Sequence, residues 1–283
     1  MLRTPVPLIG ALGVGKETLV PRLKSQKALQ ELRHLSFCYL CGRNFELDDD
    51  RNRDHVPPKS AFLILDRQRP LILPTHTVCN SLHKDVDEKI GQLIALKNHR
   101  IPEKKNRKLS IKFLRHPKTN ATIAALDNLD IPAAIRRWLK GFHSALYSEP
   151  MPTDAKVALQ TPFPSANLQS EKPALAPIPN QHGIFVQTMK MNRAAGRLDE
   201  IRTNNGKMAY ECVWDKTEDG AWLCVFALDI YGWKDLGDIH NFSPRGCAGF
   251  YMLPSREAPP GAAKGTGLYI PVQNLDWLDP FGN

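Results

Sequence analysis

Two cysteine and histidine pairs have the spacing of metal ligands. Cys38 and Cys41 are separated by two residues, and His76 and Cys79 have the same spacing. Each pair places two ligands on one tight turn, and together they make a Cys3His set, a common donor set for structural zinc. Because four protein ligands leave no position for water, the cluster predicts a zinc ion that stabilises the fold and does not catalyse.

A second group of polar residues is interleaved with this cluster. Asp54 and His55 lie between the two pairs and are followed by Val-Pro-Pro, while Asn80 directly follows the second pair. This order resembles the zinc-containing HNH endonucleases of the His-Me finger, or ββα-metal, superfamily. The resemblance covers about residues 37–90, and the stretch His55–Ser60 is similar to one bacterial branch. It implies a metal-dependent endonuclease that hydrolyses phosphodiester bonds in DNA, with restriction or antiviral defence as its setting.

The resemblance also implies a role for each residue of the motif. His55 is expected to be the general base that takes a proton from water. Asp54 and Asn80 are expected to hold one Mg²⁺ or Mn²⁺, which would offset the charge on the phosphate and stabilise the leaving 3′ oxygen. Oxygen ligands suit such a hard cation, whereas the sulfur-rich set suits zinc. His83 lies one helical turn after Asn80 and is either a further metal ligand or a surface histidine that contacts phosphate.

One position departs from the family pattern. Counting back from Asn80 to the place of the family's middle asparagine reaches Leu71. In the family, that asparagine tethers the loop that carries the base. Its replacement leaves an alternative open, in which the chain is a zinc-stabilised nucleic-acid-binding or interaction protein with a degenerate site.

Positive charge is concentrated next to the motif. The formal net charge is +9, and residues 97–118 contain nine Lys or Arg residues against Glu103 alone. A basic block of this kind is typical of a face that binds a polyanion. The alternative is a flexible, solvated loop without a partner; the neighbouring motif favours DNA, with RNA left open. The expected nucleic-acid contacts are Lys59, Lys84, Lys97, Arg100, Lys104, Lys105, Arg107 and Lys108.

The whole chain predicts an α+β protein in several regions. An N-terminal ββα-metal (HNH) domain with a structural zinc is followed by a helical extension, a proline-rich linker and a mainly-β C-terminal domain. The linker is expected because proline fixes φ and removes a backbone donor. The C-terminal domain is the expected surface for a homo-oligomer or a protein partner. The predicted boundaries are 1–33 for an arm that ends in a helix, 34–118 for the nuclease domain with its basic segment, 119–148 for the helical segment, 149–182 for the linker and 183–283 for the mainly-β domain.

Hydrophobic periodicity predicts the elements within these regions. Helices are expected at about 21–35, 84–96 and 121–147. The last is interrupted near Asp130, which caps its second half, and that half has one apolar face. The residues of that face are Ile135, Trp138, Leu139, Phe142, Ala145 and Leu146. Alternation at 210–214 and the apolar run at 221–230, separated by a turn-rich stretch, predict a β-hairpin.

The composition predicts a cytoplasmic protein. No apolar run reaches the ~18 residues that a membrane helix requires, and the N-terminus lacks the shape of a secretory signal. Cysteines clustered beside a histidine favour metal binding over disulfides. The remaining cysteines, Cys212, Cys224 and Cys247, are expected to be buried free thiols.

Two further patterns are interpreted as structural. Gly10–Lys16 matches most of a phosphate-binding loop, but Glu17 stands where that loop requires Ser or Thr. Four tryptophans have the ring size to stack on bases, yet their apolar neighbours favour the core. They are Trp138, Trp214, Trp222 and Trp233.

Overall fold

The structure, a computed structural model, describes residues 22–23, 25–97, 111–115, 122–126, 129–160, 179–231 and 246–265. It mixes helices and strands, as the sequence predicts. The strands are β1 (Arg22–Leu23), β2 (Arg51–His55), β3 (Ile72–His76), β4 (Ile111–Arg115), β5 (Thr122–Leu126), β6 (Lys156–Gln160), β7 (Asp199–Thr203), β8 (Met208–Lys216), β9 (Trp222–Ile230) and β10 (Gly246–Met252). The helices are α1 (Gln26–Glu31), α2 (Thr77–Ser81), α3 (Lys84–Lys97), α4 (Ile131–Tyr147) and α5 (Pro179–Ala194). Among these helices none is both long and apolar enough to span a bilayer.

The largest element is a six-stranded sheet in the order β1-β7-β8-β9-β10-β6. β1 runs parallel to β7, and all other neighbours in this sheet are antiparallel. β8 and β9 form the predicted hairpin, in which Met208 pairs with Ile230 and Lys216 pairs with Trp222. Because successive side chains of a strand point to opposite faces, such a sheet has two faces to cover.

Helices cover both faces of the sheet. On one face, Tyr210, Cys212 and Trp214 are buried in the same hydrophobic cluster as the apolar side of α4 and the residues around the Cys38–Cys41 turn. On the other face, Val213 is buried with Phe185 of α5. The alternation predicted for this strand is therefore confirmed. One hydrophobic core connects the motif region with the C-terminal sheet.

Helix α4 matches its prediction. Asp130 caps it, since the Asp130 carboxylate accepts a hydrogen bond from the Ala133 amide at 2.9 Å. Pro132 lies in the first turn, where its missing N–H leaves no helical bond unmade. All six residues of the predicted apolar face are buried. α3 likewise confirms the helix expected at 84–96.

The prediction of a helix is wrong at residues 122–126, the described start of the expected range 121–147. β4 and β5 pair there as an antiparallel hairpin, with Ile111 opposite Leu126 and Arg115 opposite Thr122. The alanines of this stretch suggest a helix, but Thr122 and Ile123 are β-branched and suit a strand. Pairing with β4 therefore overrides a weak local preference.

The predicted N-terminal helix is shortened in the structure. α1 begins at Gln26, not at Pro21, because the Ser25 hydroxyl accepts a hydrogen bond from the Ala28 amide at 3.2 Å and caps the helix. The two residues of β1 extend the large sheet at its edge. Residues 22 and 23, at the predicted start of the helix, therefore belong to the sheet.

Two parts of the predicted linker at 149–182 are regular elements. β6 pairs with β10, with Lys156 opposite Met252 and Gln160 opposite Ala248. No proline falls within 156–160, so this stretch can form the edge of the sheet. α5 begins at Pro179, a position at which a helix tolerates proline. The prolines thus border elements instead of excluding them.

The predictions for the aromatic residues and thiols are largely confirmed. Trp138 and Trp214 are buried in the core, while Trp222 is half-buried between the ammonium groups of Lys216 and Lys264, 5.4 and 5.2 Å from its ring centroid. The three cysteines outside the metal cluster are buried free thiols. Trp233 and the glycine-rich stretch Gly10–Glu17 lie outside the described residues.

A buried carboxylate makes the stability of this core depend on pH. Asp199 accepts hydrogen bonds from the Tyr147 hydroxyl at 2.7 Å and the Ala263 amide at 2.9 Å. Burial raises the pKa of Asp199 from 3.8 to about 6, against the opposing effect of these two donors. Between pH 4 and pH 6 the folded protein therefore keeps a proton on Asp199 that the unfolded chain has released. The stabilisation that protonated Asp199 provides is lost as the pH rises from about 4 to about 6.

We expect Asp199→Asn to remove this dependence, because an amide keeps the shape and does not ionise. Between pH 4 and pH 7 the free energy of unfolding of the wild type should fall relative to that of the variant by on the order of 3 kcal/mol. Urea denaturation of both proteins at the two pH values measures the difference. Parallel pH profiles for the two proteins would show that Asp199 ionises normally in the fold.

Candidate metal centre and the ionic cluster beside it

The first pair of predicted ligands lies on a tight turn. The Cys38 amide donates to the Arg43 carbonyl at 2.9 Å, and the Gly42 amide donates to the Cys38 carbonyl at 2.8 Å. Gly42 has a φ of 77°, a left-handed conformation that glycine adopts without steric cost. The turn brings the Cys38 and Cys41 thiols to the same side.

The second pair lies where β3 joins α2. His76 is the last residue of β3, and Cys79 follows in the first turn of α2. Nδ1 of His76 is 3.4 Å from Sγ of Cys41 and 3.9 Å from Sγ of Cys79. The ligand atoms of all four predicted residues lie within 4.8 Å of one another. Zinc–sulfur bonds of about 2.3 Å require a tetrahedron with edges of about 3.8 Å, so the four residues can hold a metal ion such as zinc.

Outer contacts orient these ligands. Nε2 of His76 is 3.1 Å from Oδ2 of Asp49, which leaves Nδ1 to face the three sulfur atoms. The backbone amide of His76 donates to Sγ of Cys38 at 3.5 Å. The Phe45 ring packs edge-on against the imidazole, with centroids 4.9 Å apart. A carboxylate on the far nitrogen is a common way to fix the tautomer of a zinc-binding histidine.

The sulfur atoms are too close together to ionise independently. Burial, followed by the neighbouring thiolates of Cys38 and Cys41, raises the pKa of Cys79 to about 12. A bound divalent cation would offset this repulsion, because zinc binds the thiolate form of cysteine. The donor set and its electrostatics therefore both fit a metal ion.

Asp54, the predicted ligand of the catalytic metal, is buried in an ionic network. It is the fourth residue of β2, and only 5% of it is exposed. Its Oδ2 accepts hydrogen bonds from the Tyr39 hydroxyl and from Nη2 of Arg137, the latter at 3.2 Å. Burial raises the pKa of Tyr39, so the phenol remains protonated and acts as the donor.

Arg137 is a residue of this site that sequence reasoning did not place. Its side chain is buried and binds two carboxylates. Besides Asp54, it contacts Asp87 of α3 through two bonds of 2.7 and 2.9 Å. Burial raises the pKa of Asp87 to about 6, although Arg137 opposes the shift. The apolar periodicity of α4 gave no signal for Arg137, because position 137 lies on the opposite side of the helix from the predicted apolar face.

We expect Arg137→Met to lower the free energy of unfolding by about 3–5 kcal/mol, because Asp54 and Asp87 would be left buried without their counter-ion. Urea denaturation at pH 7 measures this loss. Arg136→Met is the matched control, since Arg136 is the neighbouring residue of the same helix and is only half-buried. The control should change stability by about 1 kcal/mol or less. Equal losses in the two variants would contradict a special role for Arg137.

His55, the predicted base, is the last residue of β2 and is half-buried. Desolvation lowers its pKa, and the charges of Lys59, Arg33 and Arg67 lower it further against the opposing effect of Asp54. The imidazole is therefore neutral near pH 7, which is the form that can accept a proton. These three cations also show that positive charge surrounds the imidazole.

Leu71 stands at the position of the missing asparagine and contacts the segment after His55 through its backbone carbonyl. The Leu71 carbonyl accepts a hydrogen bond from the Val56 amide at 3.0 Å, and the Leu71 side chain is fully buried. Helix α4 approaches the same segment closely, since a Cβ on Gly141 would lie 2.7 Å from Cγ1 of Val56. On α3, a Cβ on Gly91 would lie 2.6 Å from Ser60. Packing against α3 and α4 thus fixes the loop that the middle asparagine tethers in the family.

The two remaining motif residues, Asn80 and His83, lie in and just after α2. Asn80 in α2 and His83 between α2 and α3 are both half-buried. Burial lowers the pKa of His83, and the charge of Arg137 lowers it further against that of Asp54, so this imidazole lies in the same ionic environment. In the described part of the chain, the hydrogen-bond partners of Asp54 are Tyr39 and Arg137 rather than Asn80 or His83.

Some of the predicted nucleic-acid contacts lie within the described residues and the others lie outside them. Lys59 and Lys84 have exposed side chains, and Lys97 ends α3. Most of the basic block falls outside the described residues, although the exposed Arg115 ends β4. The predicted contacts outside the described residues are Arg100, Lys104, Lys105, Arg107 and Lys108.

The fold and the site together define a protein of mixed helix and sheet with a Cys3His cluster that can hold a metal ion. No family model, curated protein or solved structure matches the chain. The chemistry of the site is therefore inferred from its own residues and geometry.

Proposed function

We propose that the chain is a metal-dependent HNH endonuclease of the ββα-metal type. The observation that carries this proposal is the arrangement of the β2-β3 hairpin. At one end Arg51 pairs with His76 of the metal cluster, and at the other His55 pairs with Ile72. The hairpin leads into α2 and α3, so a structural metal at one end would stabilise the strand that presents the imidazole at the other.

The residues suit hydrolysis of a phosphodiester. In this proposal His55, neutral near pH 7, takes a proton from the attacking water. Asp54 and Asn80 supply oxygen ligands for Mg²⁺ or Mn²⁺; because Tyr39 and Arg137 both contact Oδ2 of Asp54, the cation would bind through Oδ1. Such an ion, when bound, offsets charge on the phosphate and on the leaving 3′ oxygen. The products would be a 5′-phosphate and a 3′-hydroxyl.

The charge around His55 supports a polyanionic substrate. Lys59, Arg33 and Arg67 all act on the imidazole, and Lys59 is exposed to solvent. A phosphate approaching His55 would therefore meet a positive surface on the folded domain itself, apart from the basic block of 97–118. DNA is the substrate that we propose.

Cleavage of a supercoiled plasmid by the purified protein tests this function. We expect nicked and linear products with Mg²⁺ or Mn²⁺, no products when neither metal is added, and ends that DNA ligase can rejoin because they carry a 5′-phosphate. A single-stranded RNA substrate run in parallel decides between DNA and RNA. The proposal fails when neither nucleic acid is cut with either metal.

The ion pair between Arg137 and Asp54 favours a second candidate, a zinc-stabilised nucleic-acid-binding protein without catalysis. A guanidinium at 3.2 Å from the Asp54 carboxylate already supplies one positive charge to the group that would bind a cation. If that pair persists in the presence of Mg²⁺, DNA binding would occur without cleavage. A gel-shift assay beside the plasmid assay distinguishes the two candidates.

A further inference from the structure

Three consecutive aliphatic side chains are exposed on the loop that joins β2 to β3. Leu63 is 40% exposed, Ile64 68% and Leu65 78%. The residues at either end, Phe62 and Asp66, are buried. Isolated exposed aliphatic residues are common on proteins, but three in a row between two buried residues suggest a surface that meets a partner. We call Leu63, Ile64 and Leu65 the aliphatic tip.

The aliphatic tip is held firmly by the C-terminal sheet. The Leu63 amide donates to the Tyr231 hydroxyl at 2.6 Å, and the Phe62 and Tyr231 rings lie 5.8 Å apart. The turn after β7 binds the other end of the loop, since the Asn204 amide donates to the Arg69 carbonyl and the Asn205 amide to the Gln68 carbonyl. A loop tied at both ends presents its side chains with little further loss of conformational entropy on binding.

The charges beside the aliphatic tip suit a polyanion. Lys59, Arg67 and Arg69 flank it, and the only acid between residues 59 and 70 is the buried Asp66. Another exposed leucine of the motif region is flanked by acidic rather than basic residues. Leu47 is fully exposed and lies among Glu46, Asp48, Asp49 and Asp50.

The loop that carries the aliphatic tip starts at the proposed base, since β2 ends at His55 and Lys59 follows four residues later. Lys59 and Arg67 both act electrostatically on His55. A duplex whose backbone reaches His55 would therefore contact these cations and meet the tip beside them. Minor-groove-binding proteins combine basic residues with aliphatic wedges that enter between base pairs and open the groove.

We propose that the aliphatic tip is a wedge that inserts into the minor groove of duplex DNA and unstacks one base step next to the phosphate that His55 attacks. This inference rests on the proposed endonuclease function and adds how the substrate is gripped. It predicts a preference for duplex over single-stranded DNA and for base steps that unstack easily.

The test uses short duplexes that carry 2-aminopurine at each position in turn, because this base becomes fluorescent when it is unstacked. At low salt and without added Mg²⁺ or Mn²⁺, wild-type protein should bind and raise the fluorescence at one or a few positions. The double variant Ile64→Ser/Leu65→Ser should bind about tenfold or more weakly and leave the fluorescence unchanged. Leu47→Ser, the matched control, should behave as wild type. Thermal unfolding of all three proteins confirms that these exposed positions leave the fold intact.

The outcomes separate this inference from the proposed function. If wild type cuts plasmid but never raises the fluorescence, or if the double variant binds and unstacks DNA as wild type does, the wedge is wrong and the endonuclease stands. If wild type unstacks DNA but cuts nothing with Mg²⁺ or Mn²⁺, the wedge stands and the endonuclease is wrong. Binding of neither duplex nor single-stranded DNA overturns the wedge and DNA as the substrate, and the RNA cleavage assay then decides whether the chain is an endonuclease.

Discussion

His55→Ala is expected to lower the rate of plasmid cleavage by about 10²–10⁴-fold, the usual contribution of a general base. His55 lies at the end of β2 with its ring half-buried and its pKa lowered by desolvation and nearby cations. Alanine removes the group that accepts the proton and leaves the hairpin register unchanged. DNA affinity should remain close to that of the wild type, since Lys59 and the neighbouring cations are retained.

The matched control for this variant is His34→Ala. His34 is exposed in the short 3-10 helix that follows α1 and takes no part in the proposed chemistry. Its cleavage rate should equal that of the wild type, and both variants should keep the thermal midpoint of the wild type within a few degrees. Cleavage by His55→Ala at a rate near that of His34→Ala would remove His55 from the mechanism while leaving a metal-dependent nuclease possible.

Local spacing made the metal cluster predictable from the sequence. Cys38 and Cys41 lie on one turn, and His76 and Cys79 lie at one strand-to-helix junction. In each pair two residues must point the same way whatever the rest of the fold does. The apolar face of α4 was predictable for the same reason, because the helical repeat alone decides which side is buried.

Contacts between distant parts of the chain were not predictable in this way. Arg137 and Asp54 are separated by 83 positions, and nothing in either local sequence specifies that they meet. The same holds for β6, whose place at the sheet edge depends on a partner strand almost a hundred residues later. A proline-rich neighbourhood and an alanine-rich one both misled the local interpretation, since strand pairing depends more on context than helix formation does.

Asp54 shows how a contact between distant residues, which the sequence does not predict, affects the proposed function. Motif matching gives the residue types of an oxygen-rich cation site, but the structure adds a guanidinium and a phenol that bind the same carboxylate oxygen. The sequence alone therefore predicts Asp54 as a residue that binds the cation, but it does not predict that Arg137 competes for the same carboxylate. Whether the carboxylate exchanges Arg137 for a divalent cation is the question that the plasmid and gel-shift assays answer together.

Cys79→Ser is expected to abolish stoichiometric zinc binding and to lower the thermal midpoint by more than about 10 °C. Structural zinc binds zinc-finger peptides with about 10–16 kcal/mol, as much as the whole stability of a typical domain. Loss of only about 5 kcal/mol in a chain of this size would move the midpoint by about 10–20 °C. The hydrophobic core that surrounds Cys38 is shared with the C-terminal sheet, so the damage should reach the whole fold.

Cys247→Ala separates loss of metal from loss of a buried thiol. Cys247 is buried in β10, away from the cluster, so this variant should keep about one zinc ion per chain and lose about 1–2 kcal/mol of stability. Metal content by mass spectrometry and thermal unfolding, each with and without a chelator, measure both effects. The proposed zinc site would be contradicted by three results together. The wild-type protein would be purified without zinc, would take up none, and would unfold at the same temperature with and without the chelator. In the expected case the chelator lowers the midpoint of wild type and Cys247→Ala alike and leaves that of Cys79→Ser unchanged, because only the first two have a metal ion to lose.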